Sequence, residues 1–159
     1  MTGIRETIGA LTGEQAIRVL ALSADHEASL PDPAYLSTME SGLRDAIDND
    51  TELASYAEPG DQPANPGDLA KVTLLYLADA RPELVPVITQ AIERPDDGTR
   101  FEPVTLAVGA LVVLALQTEV KLTRSPQGRW AFTFHKHHMR DSTLGQVISK
   151  LIATVLPGG

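Results

Sequence analysis

A chain of 159 residues, 43% hydrophobic and 21% charged, has the composition of about one ordinary globular domain, large enough to bury a core without staples. It has no cysteine, which excludes a disulfide framework, a thiolate zinc site and a cysteine nucleophile. The net charge of −8 opposes docking on phosphate backbones, but it is unevenly spread: residues 1–119 hold 20 acids against 7 Lys or Arg, whereas residues 120–159 hold one acid, Asp141, against six bases.

The N-terminus, Met1 to Glu6, lacks the apolar core of a secretory signal, so export is not expected and a reducing cytoplasm fits. Arg outnumbers Lys nine to four and Ala is abundant, a bias expected of a bacterial protein from a high-GC genome. The first clear helix starts at Thr12, whose hydroxyl can cap it while Gln15 reaches back in a capping box; Ile17, Leu20, Ala21 and Ala24 follow at helical spacing. A second helix is predicted from Asp32-Pro33, with Asp as N-cap and Pro at the first helical position. Its apolar stripe is Tyr35, Leu36, Met39, Leu43 and Ile47, and Asn49-Asp50 ends it.

Residues 57–67, AEPGDQPANPG, hold three prolines and two glycines in eleven positions, which is loop chemistry. They divide the chain into an N-terminal helical hairpin (1–57), a linker or loop (58–66) and a helical core with a β-hairpin and an amphipathic C-terminal helix (67–159); the alternative is one domain throughout. Asn65-Pro66 opens a helix through Leu69, Val72, Leu75, Tyr76 and Leu77. Pro82 marks the next, through Leu84, Val85, Val87, Ile88, Ala91 and Ile92, and Pro95-Asp96-Asp97-Gly98 is a turn. Pro103 starts a helix whose segment Val104 to Leu116 is almost wholly apolar. At about 13 residues between Glu102 and Glu119 it falls short of the ~20 needed to cross a bilayer, so it is predicted to lie buried in the fold, touching both the hairpin and the last helix.

Val120 to His137 reads as an antiparallel β-hairpin. Pro126-Gln127-Gly128 suits a three-residue loop ending in a left-handed glycine, which pairs residues whose numbers sum to 254. Val120 then faces Phe134, Leu122 faces Phe132 and Arg124 faces Trp130 on one side, while Lys121 faces Thr133 and Glu119 faces His135 on the other. Slipping the register by one would scatter the apolar residues over both sides of a half-buried sheet. Leu144, Val147, Ile148, Leu151, Ile152 and Val155 form the final helix, capped at Asp141 or Ser142 and ended by Pro157-Gly158-Gly159.

No catalytic motif is present: phosphate-cradling glycine loops, H-E-x-x-H and G-x-S-x-G are all missing. Ser142, His138 and Asp141 are triad residue types without triad geometry, and the Ser suits a helix cap better. His135 and His137 share a strand face, and with Glu119 they could offer nitrogen and oxygen ligands to a divalent ion. No further ligand completes the set, and a solvated strand edge is the expected state. Neither a cofactor nor a metal is expected, and the chain is not read as an enzyme.

From Pro66 to His137 the order of elements, three helices and then a two-stranded hairpin, resembles the winged-helix arrangement. That resemblance implies a nucleic-acid-binding regulator whose third helix enters the major groove, yet Val104 to Leu114 offers no donor or acceptor to a base edge. Lys121, Arg124, Arg129, Lys136, Arg140 and Lys150 with Trp130 nearby could meet phosphates and a base, but four acids against two arginines lead into that helix from Glu93 to Glu102. Nucleic acid is therefore the second choice.

The expected fold is α+β and mostly helical, with about six helices and one β-hairpin. The expected function is that of a small cytoplasmic protein-binding or accessory subunit, with no membrane partner. Its surface would comprise Lys121, Arg124, Arg129, Trp130, His135, Lys136, His137, His138 and Arg140, with acidic helices at the other end. The partner is another protein or, since opposite ends attract, a second copy of the chain.

Overall fold

A computed structural model describes residues 3–28, 32–49, 66–93, 108–116, 119–134 and 142–155. Among them are seven α-helices: α1 (Ile4–Gly9), α2 (Gly13–Ala28), α3 (Pro33–Asp48), α4 (Pro66–Ala80), α5 (Val85–Glu93), α6 (Val108–Ala115) and α7 (Ser142–Val155). A 3-10 turn at Pro82–Leu84 leads into α5, and β1 (Val120–Arg124) and β2 (Trp130–Phe134) form one antiparallel pair. The fold is thus α+β and mostly helical, with three helices preceding the hairpin from Pro66 onward. The helix that the periodicity does not announce is α1, whose six residues bury a single side chain, Ile8. Lys71 of α4 steadies its C-terminal end by donating to the Gly9 carbonyl at 3.4 Å.

Helix starts follow their caps. Thr12 and Gln15 close the reciprocal box, with Thr12 N–H donating to Gln15 Oε1 at 2.8 Å and Gln15 N–H to Thr12 Oγ1 at 3.1 Å. Asp32 accepts from Tyr35 N–H at 2.9 Å, and Pro33 occupies the first turn of α3. Leu36, Met39, Leu43, Ala46 and Ile47 form the buried face of α3. Tyr35 does not join it: although four residues before Met39 and so on the same side of the helix, it sits in the first turn, at the N-terminal end of α3, and is half exposed at 52%.

The centre of the molecule is α6. It touches α2, α3, α4, α7 and β1, and Ala110, Leu111, Val112 and Leu116 are fully buried. The predicted cover from both hairpin and last helix is therefore present; residues 104–107 lie outside the described residues. Around it, α2 packs on α4, α5 and α6, α4 on α7, and α3 on β2 and α6. The main neighbours of α2 and α3 thus belong to the later part of the chain, and one buried cluster draws side chains from all seven helices and both strands. Its two buried hydroxyls are satisfied within their own helices, Ser23 Oγ donating to Val19 O and Thr73 Oγ1 to Leu69 O.

Both polar ends of α6 are met by charged side chains. At the N-terminal end Gly109 N–H donates to Glu40 Oε1 of α3 at 2.9 Å. At the C-terminal end Arg81 donates from Nη1 to the Ala115 carbonyl at 2.9 Å and pairs through Nη2 with Glu119. An acid at the positive end and a base at the negative end complement the helix dipole. Leu116 O then accepts from Glu119 N–H and Val120 N–H, turning the chain directly into β1.

The hairpin has the predicted register: Val120 pairs with Phe134, Lys121 with Thr133, Leu122 with Phe132 and Arg124 with Trp130. Ser125 N–H donates to Arg129 O at 2.7 Å and Gly128 N–H to Ser125 O at 2.8 Å. Gly128 takes φ +84°, the left-handed conformation that a three-residue loop requires. Val120 and Phe132 are buried and Leu122, Trp130 and Phe134 half-buried, while Lys121, Thr123, Ala131 and Thr133 are exposed on the other face. Several expectations fall outside the described residues: the strand ends at 135–137, the Glu119–His135 pairing, the linker at 58–65, the turn at 95–98, the cap at Asp141 and the terminal Pro157-Gly158-Gly159. Because Phe132 is only 3% exposed, Phe132→Ala should lower stability by ~3–5 kcal/mol in chemical denaturation, whereas Thr133→Ala on the exposed face should change it by under about 0.5 kcal/mol.

Candidate functional site

The exposed hairpin cations divide by strand face. Lys121 projects from the exposed face with Thr123, Ala131 and Thr133, and Arg124 and Arg129 flank the loop, both exposed. No acid interrupts the chain from Val120 to Phe134, so the charges that the hairpin itself carries are all positive. His135, Lys136, His137, His138 and Arg140 lie outside the described residues. Among the described residues no group of three His, Asp or Glu side chains is arranged to hold a metal ion. No helix there is long and apolar enough to cross a membrane.

Trp130, expected to meet a partner, has a prior engagement with the fold. Its indole lies directly on the backbone of α3 at Gly42, and the Arg124 guanidinium sits over the ring at 5.5 Å from its centroid. Its neighbour on the same face, Phe132, meets Phe134 in a tilted pair with centroids 5.8 Å apart. Trp130 therefore works as the bolt that holds the basic loop to α3, and Arg124 is partly committed to it. The signal for this contact was in the sequence: Gly42 stands between Met39 and Leu43 in an otherwise regular helix, where glycine costs up to ~1 kcal/mol relative to alanine and needs a packing reason.

Beside this contact runs a groove of about 600 Å³ between α3 and β2, walled by Asp45, Ala46 and Asn49 on one side and by residues 128–133 on the other. Sequence patterning did not anticipate it, because it depends on which face of α3 the hairpin meets. The groove counts one acid, Asp45, and one base, Arg129, among its lining residues. Its volume lies within the range of small-ligand and peptide sites.

The third helix of the winged-helix-like segment is not a surface helix. Among the described residues of α6 only Leu114 is half-buried and the rest are buried, and Glu40 and Arg81 occupy its ends. The major-groove contact implied by the resemblance would require a face that α6 has already spent on the core.

The Gly42–Trp130 contact predicts an inverted substitution effect. Gly42→Ala, which in an unencumbered helix would stabilise, puts a Cβ among Cγ, Cδ2 and Cε2 of the indole. It should cost ~1–3 kcal/mol and shift the emission of the single tryptophan to the red, while Gly9→Ala, with nothing within 4 Å of the new methyl, should be neutral or stabilising by up to ~1 kcal/mol.

Set against protein-family models, curated proteins and solved structures, the chain matches none of them.

Proposed function

We propose that this chain is a protein-binding accessory subunit, cytoplasmic and bacterial, which docks through the basic hairpin on an acidic surface of another protein. The observation that carries this reading is the separation of roles within the hairpin. Its apolar face and Trp130 secure it to the core, leaving Lys121 and Arg129 exposed on a positioned platform. Cations held on an ordered strand pair cost less to immobilise on binding than cations on a loose chain. They also steer an acidic partner into register. Acidic helices elsewhere in the chain keep it in solution and can meet a basic neighbour, and a second copy of the chain is one form such a partner takes. We read no catalytic role into the chain: its described acids serve as caps, helix-end partners and solvated surface.

The element order leaves a winged-helix regulator as the second reading. Burial of α6 and the −8 charge weigh against it. Capture from a nuclease-treated extract of the source organism by the immobilised chain tests the choice. Lys121→Glu together with Arg129→Glu should weaken recovery of the bound protein at least about tenfold, and added duplex DNA should not compete. A gel shift that saturates on duplex DNA at sub-micromolar protein, with affinity falling at a log–log salt slope near −0.9 for each phosphate contacted, is the contrary result.

A further inference from the structure

The geometry points to strand addition: an extended acidic segment of the partner pairs with the outer edge of β2 in the groove beside α3. This mode rests on the protein-binding reading above and specifies how the partner is held. The first observation is what lines the groove. Residues 128–133 contribute consecutively, odd and even alike, whereas a groove lying across one face of a strand would be lined by alternate residues. The opening therefore follows the edge of β2.

The phase of the ladder fixes what that edge presents. Ser125 N–H donates to Arg129 O, so residues 125 and 129 form a hydrogen-bonded pair. Pairs alternate along an antiparallel ladder, which makes 123 with 131 and 121 with 133 the next bonded pairs. Trp130 and Phe132 consequently direct their N–H and C=O groups away from β1, toward the groove. Main-chain groups of this kind bind an extended peptide with little regard to its sequence, and the neighbouring side chains set the specificity. From Arg129 to Thr133 the edge runs roughly 14 Å, the length of four to five strand residues.

Charge selects the occupant. A strand added here would alternate its side chains between the exposed face, where Arg129, Ala131 and Thr133 are its neighbours, and the α3 side, where Asp45, Ala46 and Asn49 are. Acidic residues suit the first set. Small apolar residues with one cation for Asp45 suit the second. A copy of β2 itself does not fit, because it brings no acid to Arg129 and its inward residues Trp130 and Phe132 are already packed on its own core.

The test uses the full chain and a labelled, end-capped seven-residue peptide with glutamate at alternate positions and valine, lysine and valine between them. Fluorescence anisotropy and the emission of the sole tryptophan report binding, and amide exchange reports where. Binding should slow exchange at the Trp130 and Phe132 amides. Affinity should fall about tenfold in Arg129→Glu, and likewise for a peptide with its β2-facing amides methylated. The doubly exchanged Asp45→Lys, Arg129→Glu protein should instead prefer the peptide with every charge reversed. Equal affinity for the methylated peptide, or for one with its glutamates contiguous, overturns strand addition, since the main chain and its alternation would not be read. Concentration-dependent dimers that protect the same amides without peptide would also overturn it and give the groove to a second copy. If a partner is still captured and released by the Lys121 and Arg129 reversals while the Trp130 and Phe132 amides exchange unchanged, strand addition fails and protein binding stands.

Discussion

An all-apolar helix can be buried from every side, but its first amides and last carbonyls remain polar, and no side chain of α6 can satisfy them. Leaving one such group unpaired in the core costs ~1–3 kcal/mol. Two charged residues from elsewhere each meet one of these groups, one at each end. Glu40 reaches Gly109 N–H from α3, and Arg81, just beyond α4, takes the Ala115 carbonyl while pairing with Glu119. Both partners of that ion pair are mostly buried, with side chains 15% and 11% exposed. Its value lies less in net attraction than in what its loss would leave behind: one charge in the core without its partner.

The hairpin inherits its placement from this arrangement. The chain leaves α6 through the Leu116 carbonyl, which holds both Glu119 and Val120 N–H, so β1 begins within one turn of the clamped helix end. At the opposite end of the hairpin Trp130 rests on Gly42, two residues from the Glu40 that caps the other end of α6. The same stretch of α3 thus locates the start of the central helix and the base of the basic loop. A two-stranded sheet is marginal alone; here one face is packed between α3 and α6, and the other is left to carry Lys121 and Arg129.

Sequence patterning resolved the elements whose chemistry is local. The capping box at Thr12 and Gln15, the Asp32 cap and the 254 register each depend on residues within a few positions of one another, and the structure has all three. Tyr35 is in phase with the stripe, four residues before Met39, but periodicity does not say how far along the helix the cover extends, and in the first turn it is left half exposed. Gly42 signals that something packs closely on α3, but its partner, like those of Arg81 and Glu40, was illegible for a different reason. The partners of Arg81, Glu40 and Gly42 are 34, 69 and 88 residues away, and nothing in a single sequence states which remote group a charged side chain or a glycine will meet. The groove beside β2 depends on the last of these contacts and was hidden with it. Of the surface residues expected from the sequence, Lys121, Arg124 and Arg129 are exposed, while Trp130 belongs chiefly to the scaffold.

The clamp on α6 is most directly tested by replacing Arg81 with methionine, which keeps the aliphatic stem but removes the guanidinium from Ala115 and Glu119. Unfolding would be followed both by far-ultraviolet circular dichroism, which reports the helices, and by the emission of Trp130, which reports hairpin docking. If the clamp organises the fold, Arg81→Met lowers stability by ~3–5 kcal/mol and the two signals still change together, since helix core and hairpin fail as one unit. A loss under about 0.5 kcal/mol, or a hairpin signal that melts ahead of the helices in the unaltered protein, would contradict it.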